Sequence, residues 1–377
     1  IKQRHQLEEH TRIAFVTLTI ILSPYLFRLA QQSMSDMLAM FLLTASFYHL
    51  WVYLKTDATK SLLLWSLVSA LALTTRYPAI VVLVPAISFL SFRLIRKRQF
   101  SQLCLGVLTA IVPISLAIWW KMDSKGAFGV TENELFQQWS PVNFFHSAFN
   151  RSDTNSSFTL PNLLFNLSGA IHPGTVFFGA LLLPFSFRDL KSSCFRIVLL
   201  FSILAYILFL SGVPFQNSRV MIFTFPLIAM FLSFGFKPVL HWLRAKRIPF
   251  KVVFPICLII QIGLCARAMQ PSIKMNHFER ELANWVEENQ LSKPVYTYSY
   301  SQLFDTYKTG NPVIQIYDTA ITSFDDKAII IFNESLTEFK IKGTMPHQNW
   351  QALNRQMAVH QEKCWPNGWC VYSIESK

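Results

Sequence analysis

Arg28-Leu29-Ala30-Gln31-Gln32-Ser33-Met34-Ser35-Asp36 is a short polar break between two long apolar runs, Ile13–Phe27 before it and Met37–Leu54 after it. An arginine and an aspartate are thereby held where two hydrophobic helices meet. Isolated charges in such a place are costly, and they mark either a membrane surface or a functional site. Working outward from this break decides between a soluble core and a membrane. The 377 residues are 52% hydrophobic and 15% charged, include 34 Phe and have a mean hydropathy of +0.33. Soluble proteins carry about 25% charged residues. Runs of mostly apolar residues recur, each of about 18 or more, long enough to cross a bilayer as helices. A polytopic α-helical membrane protein follows. The formal charge of +13 does not indicate nucleic acid, because Lys and Arg fall in short clusters between the apolar runs, where they act as topology signals.

Ile1–Thr11 is polar and has none of the parts of a signal peptide, and the first residue is Ile, so the chain is expected to begin inside a longer protein. About nine transmembrane helices are predicted. The first two are Arg12–Leu29 and Met37–Leu54. Two more lie in Ser61–Leu94, broken at Thr74-Thr75-Arg76-Tyr77-Pro78, because proline cannot continue a helix and pushes its predecessor out of the α region. This reads as a tight helical hairpin with Arg76 at its tip. The remaining five are Leu103–Trp120, Thr175–Phe187 with a start reaching back to His172, Phe195–Val213, Val220–Phe236 and Phe250–Ala268. Residues 121–171 form a long loop whose aromatic and polar mixture suits interfacial helices. The transmembrane domain is thus 1–269.

From Gln270 the composition changes. His277–Glu288 reads as an amphipathic helix, with Phe278, Leu282, Trp285 and Val286 on one face. Strands are expected at Val295–Tyr300, Pro312–Tyr317, Ala328–Phe332 and Cys370–Ile374, with a helix at Leu303–Lys308. Residues 270–377 therefore make a small C-terminal α/β domain. Alternation of the basic loops puts Ile1–Arg12, Lys55–Lys60, Arg93–Arg98, Arg188–Arg196 and Lys237–Lys251 in the cytoplasm, and the C-terminal domain outside it. Cys364 and Cys370 flank a Pro-Asn-Gly turn on that outer side, which favours a disulfide over a metal pair. Cys104, Cys194, Cys257 and Cys265 read as packing residues. Asn-X-Ser sequons occur at Asn150, Asn155, Asn166 and Asn333.

Three outer turns then each carry an ionisable group: Asp36, Arg76 and Arg219, the last preceded by Gln216 and Asn217. One candidate base or metal ligand and two fixed cations are what an enzyme needs to bind a phosphate and activate a hydroxyl. Each residue also has a plainer reading. Arg28 can snorkel to the head groups. Asp36, helped by Ser35, can cap a helix beginning at Met37. Arg76 can pair with a lipid phosphate, and Arg219 and His172 can be interfacial anchors.

Ser35-Asp36 opening a helix, Thr75-Arg76-Tyr77-Pro78-Ala79-Ile80 between two helices, and Gln216-Asn217-Ser218-Arg219 before a helix containing Pro226 resemble the GT-C superfamily of membrane glycosyltransferases. More narrowly, the chain is similar to the dolichyl-phosphate-mannose–protein mannosyltransferase-like group, which includes the bacterial aminoarabinose transferases of lipid A and the Rgt-type transferases. The resemblance covers about residues 12–236. It implies inverting transfer of a sugar from a polyprenyl-phosphate donor to a lipid, glycan or protein acceptor on the extracytoplasmic face, in a bacterial inner membrane. Asp36 would match the family's second acidic position, and Arg219 its phosphate-binding arginine, with Arg76 and Gln216 beside the donor phosphate. The family's first acidic residue lies in an external loop that would precede Ile1, so the principal catalytic acid is expected upstream. Where the family often has a histidine or glutamate before the arginine, this chain has Gln216, which cannot act as an acid or base. No cofactor is required by the motifs, and a divalent metal at Asp36 stays open, one carboxylate being a thin site. Membrane lipids are the remaining partners. The rival reading is a transporter or flippase of a lipid-linked substrate, yet neither internal repeats nor mid-helix charges are evident.

Overall fold

The computed structural model describes residues 34–123, 138–150, 155–171, 179–188, 193–214, 218–289, 293–298, 310–316, 320–335 and 345–377, with single positions between them. Most of the predicted helix Arg12–Leu29, together with Arg28, Asn217, His172 and most of Leu303–Lys308, lies outside these residues. The chain divides into two compact units, Ile1–His146 with Leu160–Met269, and Ser147–Thr159 with Gln270–Lys377.

The first unit is helical. Its elements are α1 (Met34–Thr56), α2 (Thr59–Thr75), α3 (Ala79–Arg96), α4 (Phe100–Asp123), α5 (Asn162–Ile171), α6 (Gly179–Ser186), α7 (Cys194–Ser211), α8 (Phe225–Ala245) and the start of α9 (Phe250–Asn289). Six of these, α1, α3, α4, α7, α8 and α9, are long and apolar enough to cross a membrane, and α2 is a shorter apolar helix of 17 residues. The protein is an integral membrane protein.

Antiparallel α1 and α2 pack closely, α2 packs on α4, α3 on α7, and α6 on α8. Large side chains such as Phe47, Tyr53, Leu83, Tyr206 and Phe225 fill the common core. The outward face of α4, with Leu105, Leu108, Ile111, Val112 and Leu116, is exposed. In a bilayer that face is at home in lipid, where exposure of leucine and isoleucine is favourable rather than costly.

Three expectations change here. α1 begins at Met34 rather than Met37, so Asp36 lies in its first turn and does not cap it. There a carboxylate is favoured by the positive end of the helix dipole. The turn at Arg76 is present, but α2 and α3 diverge beyond it instead of forming a tight hairpin, because each has a better-matched neighbour. The break expected near Gln270 is absent, and α9 runs unbroken for 40 residues. Pro271 removes one backbone hydrogen bond, and the helix-compatible residues on both sides of it carry the helix through.

The second unit holds a five-stranded sheet in the order β4-β3-β5-β7-β6, built from β3 (Val295–Thr297), β4 (Val313–Gln315), β5 (Ile329–Phe332), β6 (Met357–Cys364) and β7 (Cys370–Ser376). β4, β3 and β5 are parallel, whereas β7 and β6 run antiparallel. β5 reads Ile329-Ile330-Ile331-Phe332 and is buried throughout, as a central strand covered on both faces must be. Phe278, Leu282 and Val286 from the end of α9 cover one face. Leu353 of α10 (Met345–Gln356) packs on the other. A separate two-stranded hairpin pairs β1 (Ala148–Asn150) with β2 (Asn155–Ser157).

Candidate functional site

The antiparallel pairing of α1 and α2 brings the first turn of one helix beside the last turn of the other. Arg76 Nε stands 2.7 Å from Asp36 Oδ1, with the Asp36 side chain 10% exposed and the Arg76 side chain 34%. Local sequence explains the placement. The Thr74 and Thr75 hydroxyls both donate to the Leu71 carbonyl, and the Arg76 N–H still donates to Ala72. Arg76 itself then turns extended, with φ −149° and ψ 113°, as a residue two before proline can when the chain must leave the helix. Pro78 immediately precedes α3, and its fixed φ suits a helix start.

Arg219 lies in a 3-10 turn, Ser218–Phe223, whose backbone packs against α1, α5 and the start of α8. Its side chain, like all of Asn217, is outside the described residues. The turn that carries Arg219 is therefore a neighbour of the helix that carries Asp36. Gln216 donates from Nε2 to the Leu160 carbonyl at 2.7 Å, tying the approach to the Arg219 turn to the start of α5. One of its two amide hydrogens thus has a structural role.

The sequence reading missed how this region is held. The last carbonyls of a helix have no partners within it and must find them elsewhere. At the end of α7 the loop before α5 supplies them. Trp139 Nε1 donates to Phe209 at 2.9 Å, the Ser140 N–H and Asn143 Nδ2 donate to Gly212, and Asn162 Nδ2 donates to Ser211 at 2.8 Å and Val213 at 2.9 Å. Asn166 donates in turn to Asn162 and to the Ser211 hydroxyl. The Trp139 ring covers Gly212 so closely that a Cβ there would lie 2.2 Å from it. Ser140-Pro141 opening a 3-10 turn, with Ser140 Oγ accepting from Val142, was the only local signal.

At the other end of the bundle, Asp57 joins α1 to α2 with a left-handed φ of 50°. Its carboxylate accepts from Arg93 and from Lys97, each at 2.9 Å. Hydrogen bonding to Lys97 foremost, and then to Arg93, holds this carboxyl below the ordinary aspartate range. Among the described residues the two ends therefore differ: one carries the Asp36–Arg76 pair, the other a basic collar.

Among the described residues, no group of three or more His, Cys, Asp or Glu could hold a metal ion. Cys364 and Cys370 form a disulfide between directly opposed positions of β6 and β7. Two of the four sequons are inaccessible in the fold, since Asn166 and Asn333 are buried and hydrogen-bonded.

No known protein-family profile matches the sequence, and no curated protein matches it. The fold does have solved counterparts. The chain is similar to ArnT from Cupriavidus metallidurans in a crystal structure bound to undecaprenyl phosphate. There the identity is 11% and the TM-score 0.61, covering 96% of this chain and 78% of that one. The apo state of the same protein gives 12% identity and a TM-score of 0.56 over the same shares of the two chains. At 11–12% identity the likeness is one of fold.

Proposed function

We propose that this protein transfers a sugar from a polyprenyl-phosphate-linked donor to an acceptor hydroxyl or amine on the extracytoplasmic face of the membrane. The observation that carries the reading is the Asp36–Arg76 pair, 2.7 Å apart in the first turn of α1, the helix on which the Arg219 turn packs, in a fold shared with a protein crystallised with undecaprenyl phosphate. The donor's isoprenoid tail must stay in lipid and its phosphate at the surface, the depth at which these charges lie. A donor phosphate arriving beside Arg76 and Arg219 competes for the guanidinium and frees the Asp36 carboxylate to turn to the acceptor. The acceptor atom then attacks the anomeric carbon, its proton passes to Asp36, and the bond from the anomeric carbon to the phosphate oxygen breaks. The polyprenyl phosphate leaves with the bonding electrons, its charge met by Arg76 and Arg219. Gln216 is read as a neutral donor near the phosphate through its remaining amide hydrogen.

The charges cluster at an end of the bundle rather than at its middle, which supports a transferase over a transporter or flippase. Asp36→Asn and Arg219→Ala, assayed in membranes with a radiolabelled polyprenyl-phosphate sugar, are each expected to lower transfer at least ~100-fold, as loss of a base or of a charge-stabilising donor does. Expression should be unchanged. Near-normal transfer by both variants would overturn the assignment.

A further inference from the structure

Because α2 and α3 diverge from the Arg76 turn while α4 packs on α2, an elongated, partly open groove of about 220 Å³ is left among the three helices. It runs from the level of Leu62 to that of Leu73, a rise of about 17 Å along α2. Its two ends are chemically different. Towards the Arg76 turn the walls are Leu73, Ile80 and Ile114, Ser66 and Ser69 lie along the middle, and the opposite end includes Ser91 and Gln102. Gln102 is fixed there, accepting from the Tyr53 hydroxyl at 3.0 Å. Just beyond that polar end stands the basic collar of Lys55, Lys60, Arg93, Arg96, Lys97 and Arg98, with Asp57 engaging Arg93 and Lys97. The mouth of the groove borders the lipid-facing side of α4.

We infer that this groove binds one acyl chain of an anionic phospholipid, with its head group on the collar around Lys97 and its chain end pointing towards Leu73 and Ile80. Three observations select this occupant. The groove is narrow, long and apolar, which suits an alkyl chain and not a polar solute. Ser91 and Gln102 line the collar end, where ester carbonyls would sit, Ser66 and Ser69 the middle, and the residues at the Arg76 end, Leu73, Ile80 and Ile114, are apolar. The collar keeps excess positive charge after Asp57 is counted, and basic residues at a membrane surface attract anionic head groups by about 1 kcal/mol each. A polyprenyl donor would need the reverse orientation, with its phosphate at Arg76 and the apolar walls next to its head. The inference does not depend on the sugar-transfer reading, because it rests on the collar end alone.

The test uses the full chain in phosphatidylcholine vesicles carrying a trace of phosphatidylglycerol with a photoactivatable diazirine midway along one acyl chain. Irradiation is expected to label peptides from α3 and α4, and the matched phosphatidylcholine probe about fivefold less, the ratio that one basic contact supplies. Ala110→Phe, which fills the groove, and Ile87→Trp, which fills it from the other wall, should each reduce labelling several-fold. The pair Arg96→Gln with Arg98→Gln should bring phosphatidylglycerol labelling down to the phosphatidylcholine level while leaving thermal stability unchanged. Equal labelling by the two probes, or labelling that survives both groove-filling variants, would overturn the proposal. So would displacement of the probe by added polyprenyl phosphate with no effect of the Arg96 and Arg98 changes, which would make the groove the seat of a donor's tail.

Discussion

Asp36 and Asp57 sit at opposite ends of α1, and each meets basic side chains across a helix pair, yet the two contacts do different work. Asp57 is well exposed, with 44% of its side chain accessible, and it bridges Arg93 and Lys97. Its carboxyl is held below the usual range, so the associated stability is fully present above about pH 4, the unfolded value, and is lost as pH falls through the lower folded value. Screening limits an exposed pair to about 0.5–1 kcal/mol. Asp57→Asn is the clean probe, because asparagine also tolerates the left-handed φ of 50° found there. It should lower the Tm in detergent by about 1–3 °C at pH 7, and the gap from wild type should narrow as pH falls below about 4. A gap that does not narrow on acidification would mean that something other than charge is lost. The Asp36–Arg76 pair is nearly enclosed on its carboxylate side, so Arg76→Gln alone should destabilise by about 1–3 kcal/mol through loss of the cation facing that carboxylate. Adding Asp36→Asn should restore most of that stability without restoring transfer, which chemical denaturation and transfer assays on the same membranes would separate. The sequence made both residues legible through their shared side of the membrane. It did not make their pairing legible, since contact between α1 and α2 depends on how tightly the two helices pack.

At the scale of elements, what orders the approach to Arg219 is the end of α7, where the five successive carbonyls from Phe209 to Val213 find donors on the loop before α5 and on Asn162, the first residue of α5. Asn162→Ala removes the donor to Ser211 and Val213 in a buried position and should cost about 1–3 kcal/mol. Gly212→Ala should be worse, because its new methyl meets the Trp139 ring. If that clash is the cause, Trp139→Ala should partly rescue it, and a double-mutant cycle that shows simple additivity would rule the clash out. This clasp was invisible to hydropathy, because Trp139, Asn143 and Asn162 look like any aromatic and polar loop residues until a helix end needs them. The turn at Arg76-Tyr77-Pro78 was legible because proline constrains its neighbours whatever the context. β6 was missed for the opposite reason. Met357–Cys364 is an edge strand with mostly exposed side chains, so burial imposes no alternation on its sequence. The divergence of α2 from α3, and with it the groove, was also beyond the sequence, because two apolar helices of similar length do not state which neighbour each prefers.

For the whole molecule, the arrangement of charge is the strongest constraint on how it sits in a membrane. Lys55, Lys60, Arg93, Arg96, Lys97 and Arg98 surround one end of the α1–α4 group, while Arg76 at the other end is balanced by Asp36. Loops rich in lysine and arginine are generally retained in the cytoplasm, and on that rule we propose that the Asp36 end faces outward. A polyprenyl-phosphate transferase of the proposed kind requires that orientation, which makes topology the most economical test of the whole scheme. The background is a chain in which the free cysteines Cys104, Cys194, Cys257 and Cys265 are changed to serine and the Cys364–Cys370 bridge is kept. Phe145→Cys reports the outer loop, where the native side chain is 75% exposed, and Thr56→Cys reports the collar end. A membrane-impermeant maleimide should label Phe145→Cys in intact cells and Thr56→Cys only after permeabilisation. The reverse pattern would put Asp36 and Arg76 in the cytoplasm, remove the match between charge and orientation, and end the case for extracytoplasmic transfer. It would leave the acyl-chain groove untouched apart from the leaflet that supplies its lipid, so the two proposals would then separate.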